Sequence, residues 1–167
     1  MCPRFYTDGS SRCPGCGGEG FDAAHPTCSF KTCCADKHGL EICGQCAEYP
    51  CQKYENKEKI ERDSFVTHKR MFQNHEYVKI RGIDAFIDEQ NKRIAIIQDM
   101  LANFDAGRSK SYYCLATALL SVNSLEAAVT KVFSENDKKD KVKALKAALQ
   151  KYAEVEGVNL ALSKYRA

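Results

Sequence analysis

Two patterns of apolar and polar positions divide this chain. From about residue 52 onward apolar residues recur at helical spacing, and glycine and proline almost disappear. The clearest run is Ile83, Phe86, Ile87, Gln90, Ile94, Ile97, Leu101 and Phe104. Steps of three and four draw a single stripe along a helix, interrupted by Gln90, which is expected to make a buried polar contact. Before it, Gln52 to Arg62 reads as a charged helix, and Phe65 to Ile80 as a second one with Met71 and Phe72 on its apolar face. After it, Asp105-Ala106-Gly107 is a helix stop, because Gly accepts the left-handed conformation of a C-cap. Ser109 or Ser111 is expected to cap the next helix, which runs to about Ser121. Asn123 with Glu126 reads as a capping box for a helix over Leu125 to Phe133. Val142, Leu145, Leu149 and Tyr152 form another stripe, which Gly157 breaks before a short final segment, Asn159 to Tyr165. No strand pattern competes. The expectation is a mainly α protein: a bundle of about five helices over residues 56–167, preceded by a small loop-rich module over residues 1–55.

That first module has no helical periodicity. It holds seven of the ten glycines and all four prolines, and eight cysteines lie between Cys13 and Cys51: Cys13, Cys16, Cys28, Cys33, Cys34, Cys43, Cys46 and Cys51. A segment so short and loop-rich buries little apolar surface, so another source of stability is required. Cys13/Cys16 and Cys43/Cys46 have the C-x2-C spacing, which makes a tight turn, aims two sulfurs at one point and lets following backbone N–H groups donate to them. Gly15, Gly17 and Gly18 suit the first turn, Gly44 lies inside the second, and Pro50 stiffens the approach to Cys51. Zinc takes four such ligands in a tetrahedron, with sulfur about 2.3 Å away.

The spacing predicts two four-thiolate zinc sites: Cys13, Cys16, Cys28 and Cys33, then Cys34, Cys43, Cys46 and Cys51. Each group has one C-x2-C pair and two outlying thiols, and adjacent Cys33 and Cys34 do not easily point at one ion. Cys2 competes for a place in the first group. Four thiolates also suit an iron–sulfur cluster, so an iron–sulfur redox protein is the alternative. His25 and His38 lie within the cluster and are read as turn or surface residues, since cysteines are in excess. His68 and His75 are read as surface positions, and the lone Cys114 as core.

Charge and compartment narrow the function classes. Residues 1–55 carry five Lys/Arg against seven Asp/Glu, and residues 56–167 carry 20 against 15. A net-negative cysteine module makes nucleic-acid binding an unfavoured third reading, because affinity for phosphates comes from Lys and Arg. Residues 1–12 contain no apolar run of a secretory signal. The longest apolar stretch, Tyr112 to Val122, is about half of the ~20 residues that a membrane helix requires. The expectation is a cytoplasmic protein whose thiols stay reduced. No Walker loop, G-x-S-x-G or H-E-x-x-H is present, so no catalytic residue is assigned and the reading leans away from an enzyme. An interaction protein with an unidentified protein partner is favoured. One further candidate is Gly107-Arg108-Ser109-Lys110-Ser111, where two cations stand at a helix start that itself favours negative charge. Arg108, Ser109 and Lys110 are therefore candidates for binding a small anion or an acidic partner group.

The stretch Cys43-Gly44-Gln45-Cys46-Ala47-Glu48-Tyr49-Pro50-Cys51 resembles the pattern C-x2-C-x-E-[YF]-P-C of the bacterial and archaeal domain-of-unknown-function family 3795. The resemblance extends back through Cys33-Cys34 and Cys13-Pro14-Gly15-Cys16-Gly17-Gly18, and covers about the first third of the chain. Gly107 to Cys114 is similar to a segment of longer members. The family's usual opening, C-G-L-x-C-x2-C-P, is matched only at its end, by Met1-Cys2-Pro3. The resemblance implies a small metal-binding domain and supplies no reaction.

Overall fold

A computed structural model describes residues 1–24, 28–55, 62–63, 66–105, 107–133 and 138–163. Its five longer helices are α1 (Met71–Arg81), α2 (Ile83–Phe104), α3 (Lys110–Leu119), α4 (Val122–Val132) and α5 (Lys138–Val155). No strand occurs among the described residues, so the mainly α expectation holds. Nor is any helix among them long and apolar enough to cross a membrane. The core is made where α2, α3, α4 and α5 meet: Ile97, Met100, Phe104, Tyr113, Leu120, Leu125, Leu145 and Leu149 are almost fully buried there, together with Cys114. Cys114 is thus the core thiol that its lone position implied.

The helices differ from the sequence reading in ways that have local causes. α1 begins at Met71, not Phe65, and Gln52–Tyr54 forms only a single 3-10 turn. The rest of the charged stretch expected to be helical, residues 56–61, lies outside the described residues, as does Phe65. α4 starts at Val122, because Ser121 is the N-cap and its Oγ accepts the Ser124 N–H at 3.2 Å. The Asn123/Glu126 capping box is therefore displaced by a cap two residues earlier. Glu156 closes that helix end from α5's far side, accepting from the Ser121 N–H at 3.0 Å and from its hydroxyl at 2.7 Å. Burial alone would raise the Glu156 pKa, but hydrogen bonds from Ser124 and Ser121 outweigh it and hold the carboxylate below its usual range.

α2 is rotated relative to the expected stripe. Its buried residues are Arg93, Ile97, Met100 and Phe104, while Ile87 and Ile94 are 42% and 37% exposed. Arg93 displaces them because it terminates α3. Its Nη1 donates to the carbonyls of Thr117 and Leu120 at 2.5 and 2.6 Å, and its Nε and Nη2 reach Glu89 Oε1 at 3.0 and 2.8 Å. Arg70 adds a 3.3 Å bond to the Leu119 carbonyl. The last carbonyls of a helix have no partner within it, and positive charge at that end is favourable.

α5 ends as Gly157 predicts. With Gly157 at φ +65°, Val158 N–H reaches the Ala153 carbonyl at 2.8 Å and Gly157 N–H that of Glu154 at 3.3 Å. This is a Schellman closure, which needs the left-handed residue. The final segment then runs back to the start of α1. Asp63 Oδ2 accepts the Ser163 N–H at 2.6 Å, and Lys69 Nζ donates to the carbonyls of Asn159 and Ala161.

Candidate metal centre

The N-terminal residues fold as a succession of short turns. Phe21–Ala24 and Ser29–Lys31 are single helical turns, Thr32–Lys37 is a π-helical turn, and Cys43–Gln45 is a 3-10 turn. Each C-x2-C pair closes a local hydrogen bond. Gly15 N–H donates to Cys13 Sγ at 3.5 Å, and Cys46 N–H closes back on the Cys43 carbonyl at 3.0 Å. Gln45 Oε1 locks the second turn from outside by accepting the N–H groups of Glu41 and Ile42 at 3.0 and 3.2 Å. The Tyr49–Pro50 peptide that follows is cis. All ten cysteines are free thiols, and Cys16 and Cys28 are exposed.

The thiols fall into two neighbourhoods. Around Cys16, burial and the nearby Cys13, Cys2 and Cys28 all raise the thiol's pKa, opposed by the N-terminal ammonium. Around Cys34, burial and then Cys43, which is also hydrogen-bonded to it, push the thiol up to about 11, with Cys33 and Cys46 adding to the effect. Cys34 Sγ also donates to the Leu40 carbonyl at 3.3 Å. Cys51 enters this second neighbourhood through Tyr54, whose hydroxyl is raised in pKa first by burial, then by a hydrogen bond to Cys43, and further by Cys51. Among the described residues no three Cys, His, Asp or Glu side chains converge as metal ligands do. What fits a metal is the chemistry of the donor set: at Cys16 and Cys34 burial and neighbouring thiols oppose ionisation, a conflict that a thiolate-binding divalent cation relieves.

The second neighbourhood is anchored on α1 by an aromatic cluster. Tyr54, 7% exposed, lies 5.0 Å from Tyr49, 5.2 Å from Phe30, 5.8 Å from Phe72 and 5.7 Å from His75, measured between ring centroids. Tyr49 meets His75 edge-on at 4.7 Å. His75 is therefore a buried residue, 6% exposed, and not the surface position expected from its polar helix. Its Nδ1 has no hydrogen-bond partner among the described residues, and burial holds its pKa below the ordinary imidazole range. The residue was missed because the surface it packs against belongs to the cysteine loop, not to its own helix. His38 is exposed and His25 lies outside the described residues. His68 precedes α1 and is half-buried.

Gly44 is the point of closest approach between the cysteine loop and α1. A Cβ there would sit 2.7 Å from the His75 carbonyl oxygen and 3.0 Å from its Cα, with no flexible atom to give way. Gly44→Ala is expected to cost about 2 kcal/mol, as overpacking does. Gly17→Ala, whose Cβ would meet nothing within 4 Å, is the comparison. Equal thermal melts for the two variants would show that the loop does not bear on α1.

Several donors of the Gly107–Ser111 loop are satisfied within the chain. Asp105 Oδ1 accepts the N–H groups of Gly107 and Ser109 at 3.0 and 3.2 Å. Ser109 is the N-cap of α3 but is 1% exposed, and its side chain is hydrogen-bonded to the Tyr113 side chain instead of to a backbone N–H of the helix. Lys110 Nζ turns to the N-terminus, donating to Thr7 Oγ1 at 2.8 Å and to the Tyr6 carbonyl at 3.3 Å. Arg108 is exposed. A cleft of about 920 Å³ between α1, α2 and α4 is likewise lined by engaged charges, among them Lys69, Arg70, Arg93 and Glu156.

Residues 4–56 match the family model described as protein of unknown function (DUF3795), so the family resemblance of the cysteine pattern holds over that span. Cys13 to Cys51 lies wholly within it, and the five helices α1 to α5 lie beyond it. No curated protein and no solved structure matches the chain.

Proposed function

We propose that the DUF3795 span of this chain is a zinc-stabilised module of a cytoplasmic interaction protein, with the helical residues as its scaffold. The observation that carries this reading is the gathering of free thiols into two neighbourhoods within a segment that has few buried side chains of its own. Cys34, Cys43, Cys46 and Cys51 would hold one ion, and Cys13 and Cys16 would begin the site for the other. Zinc there supplies cross-links, not reaction chemistry, because four thiolates leave no open position for a substrate. The chain's own residues set the stage: Gly15 N–H donates to sulfur, and Tyr54 and Tyr49 shield the second group against α1. A reducing cytoplasm keeps the thiols available as ligands.

The test is to purify the protein anaerobically, record its visible spectrum and quantify zinc and iron. A colourless protein with about two zinc per chain is the expected result. A brown protein with stoichiometric iron and broad absorbance near ~400 nm overturns the structural reading in favour of the iron–sulfur one.

A further inference from the structure

The site around Cys13 and Cys16 needs two more thiols, and the fold offers one from before the Cys13–Cys51 run. Phe5 N–H donates to the Cys2 carbonyl at 3.0 Å and Thr7 Oγ1 to that of Pro3 at 2.9 Å, which curls the N-terminus into a turn. Cys13 N–H donates to the Arg4 carbonyl at 3.0 Å, and the Phe5 ring lies against Gly15, so the turn is docked on the first C-x2-C loop. From the other side Lys110 grips Tyr6 and Thr7, while Met1 and Tyr6 pack on the helical core. The walls of the resulting cavity, about 620 Å³, include the three cysteines Cys2, Cys13 and Cys16 together.

We infer that Cys2 is a metal ligand and joins Cys13 and Cys16 in the first site. The inference rests on the metal reading proposed above and adds a ligand to that site. The three thiols share the wall of one cavity because the N-terminal turn is docked on the first C-x2-C loop, whereas Cys114 is 1% exposed within the apolar core. The consequence is mechanical: a metal held by Cys2 fastens the cysteine loops to the turn that Lys110 and Tyr6 tie to the helices.

The experiment loads the full chain with zinc alone and counts bound ions by native mass spectrometry for the parent and Cys2→Ser. The parent is expected to hold two ions and Cys2→Ser one. Because a serine variant can lose zinc by misfolding, thiol alkylation of the unaltered protein gives a second readout. Cys2 is expected to label at least tenfold more slowly with zinc than after chelation, while Cys114 stays unlabelled in both. Two ions retained by Cys2→Ser, or a Cys2 labelling rate indifferent to zinc, overturns the assignment of Cys2. A parent that takes up no zinc overturns the metal reading itself and the assignment with it.

Discussion

Chelating the zinc proposed for the cysteine module is expected to release the described residues before Asn56 from ordered structure while the core of α2 to α5 stays folded. Of the first 55 residues, few are buried: Cys13, Phe21, Gly44 and Tyr54 among those described. The four turns of three or four residues and one π turn described there cannot offset the backbone entropy of ordering such a segment. Structural zinc in small modules supplies an apparent ~10–16 kcal/mol, and that free energy is their folding free energy. The helical core, by contrast, contains all of the largest fully buried side chains. Hydrogen exchange is the direct measurement. Amides of Gln45, Cys46 and Tyr49, which close the second loop, should lose at least ~100-fold in protection upon chelation, whereas those of Ile97, Leu125 and Leu145 should keep theirs. Unchanged protection in the cysteine loops would show that metal does not hold them. The aromatic contacts of Tyr49 and Tyr54 with His75 would then have to suffice.

Arg93→Met is expected to be the most damaging single change in the helical part. The substitution keeps much of the side chain's volume but leaves the carbonyls of Thr117 and Leu120 without their donor and Glu89 without its partner. Each buried group left unsatisfied costs about 1–3 kcal/mol, so the loss is about 3 kcal/mol or more. For a chain of this size that corresponds to roughly 6–12 °C in Tm. Glu89→Gln should cost much less, because the Glu89 side chain is 29% exposed and the guanidinium keeps its carbonyls. Adding Glu89→Met to Arg93→Met should not restore stability, since the carbonyls remain unpaired. A single variant that melts within about 1 °C of the parent would mean that α3 ends without help from α2.

The legibility of the candidate site followed the same division. The two C-x2-C loops were visible because their chemistry is a property of spacing: two intervening residues make the turn whatever surrounds it. The family pattern added Cys51 and Pro50 to the second loop by the same local means. The surroundings of Cys2 and His75 were not legible because they are not local. Cys2 reaches the first loop through a turn held by Lys110, 108 residues away in sequence. His75 is buried only because Gly44 lets the second loop approach α1.

By itself the sequence determined that residues 83–104 form one long helix, that Gly157 stops a helix, and that thiols concentrate before residue 52. These follow from periodicity, from steric limits on φ and from composition, all of which act within a few residues. Tertiary structure decided which side of α2 faces inward. Periodicity shows which residues share a face, but the α3 carbonyls decided that Arg93 belongs inside and that Ile87 and Ile94 remain partly in solvent. It also chose Ser121 over Asn123 as a cap, since Glu156 arrives from α5 to complete that helix end. A polar side chain is buried where distant groups satisfy it, and the positions of those groups are fixed only when the chain has folded.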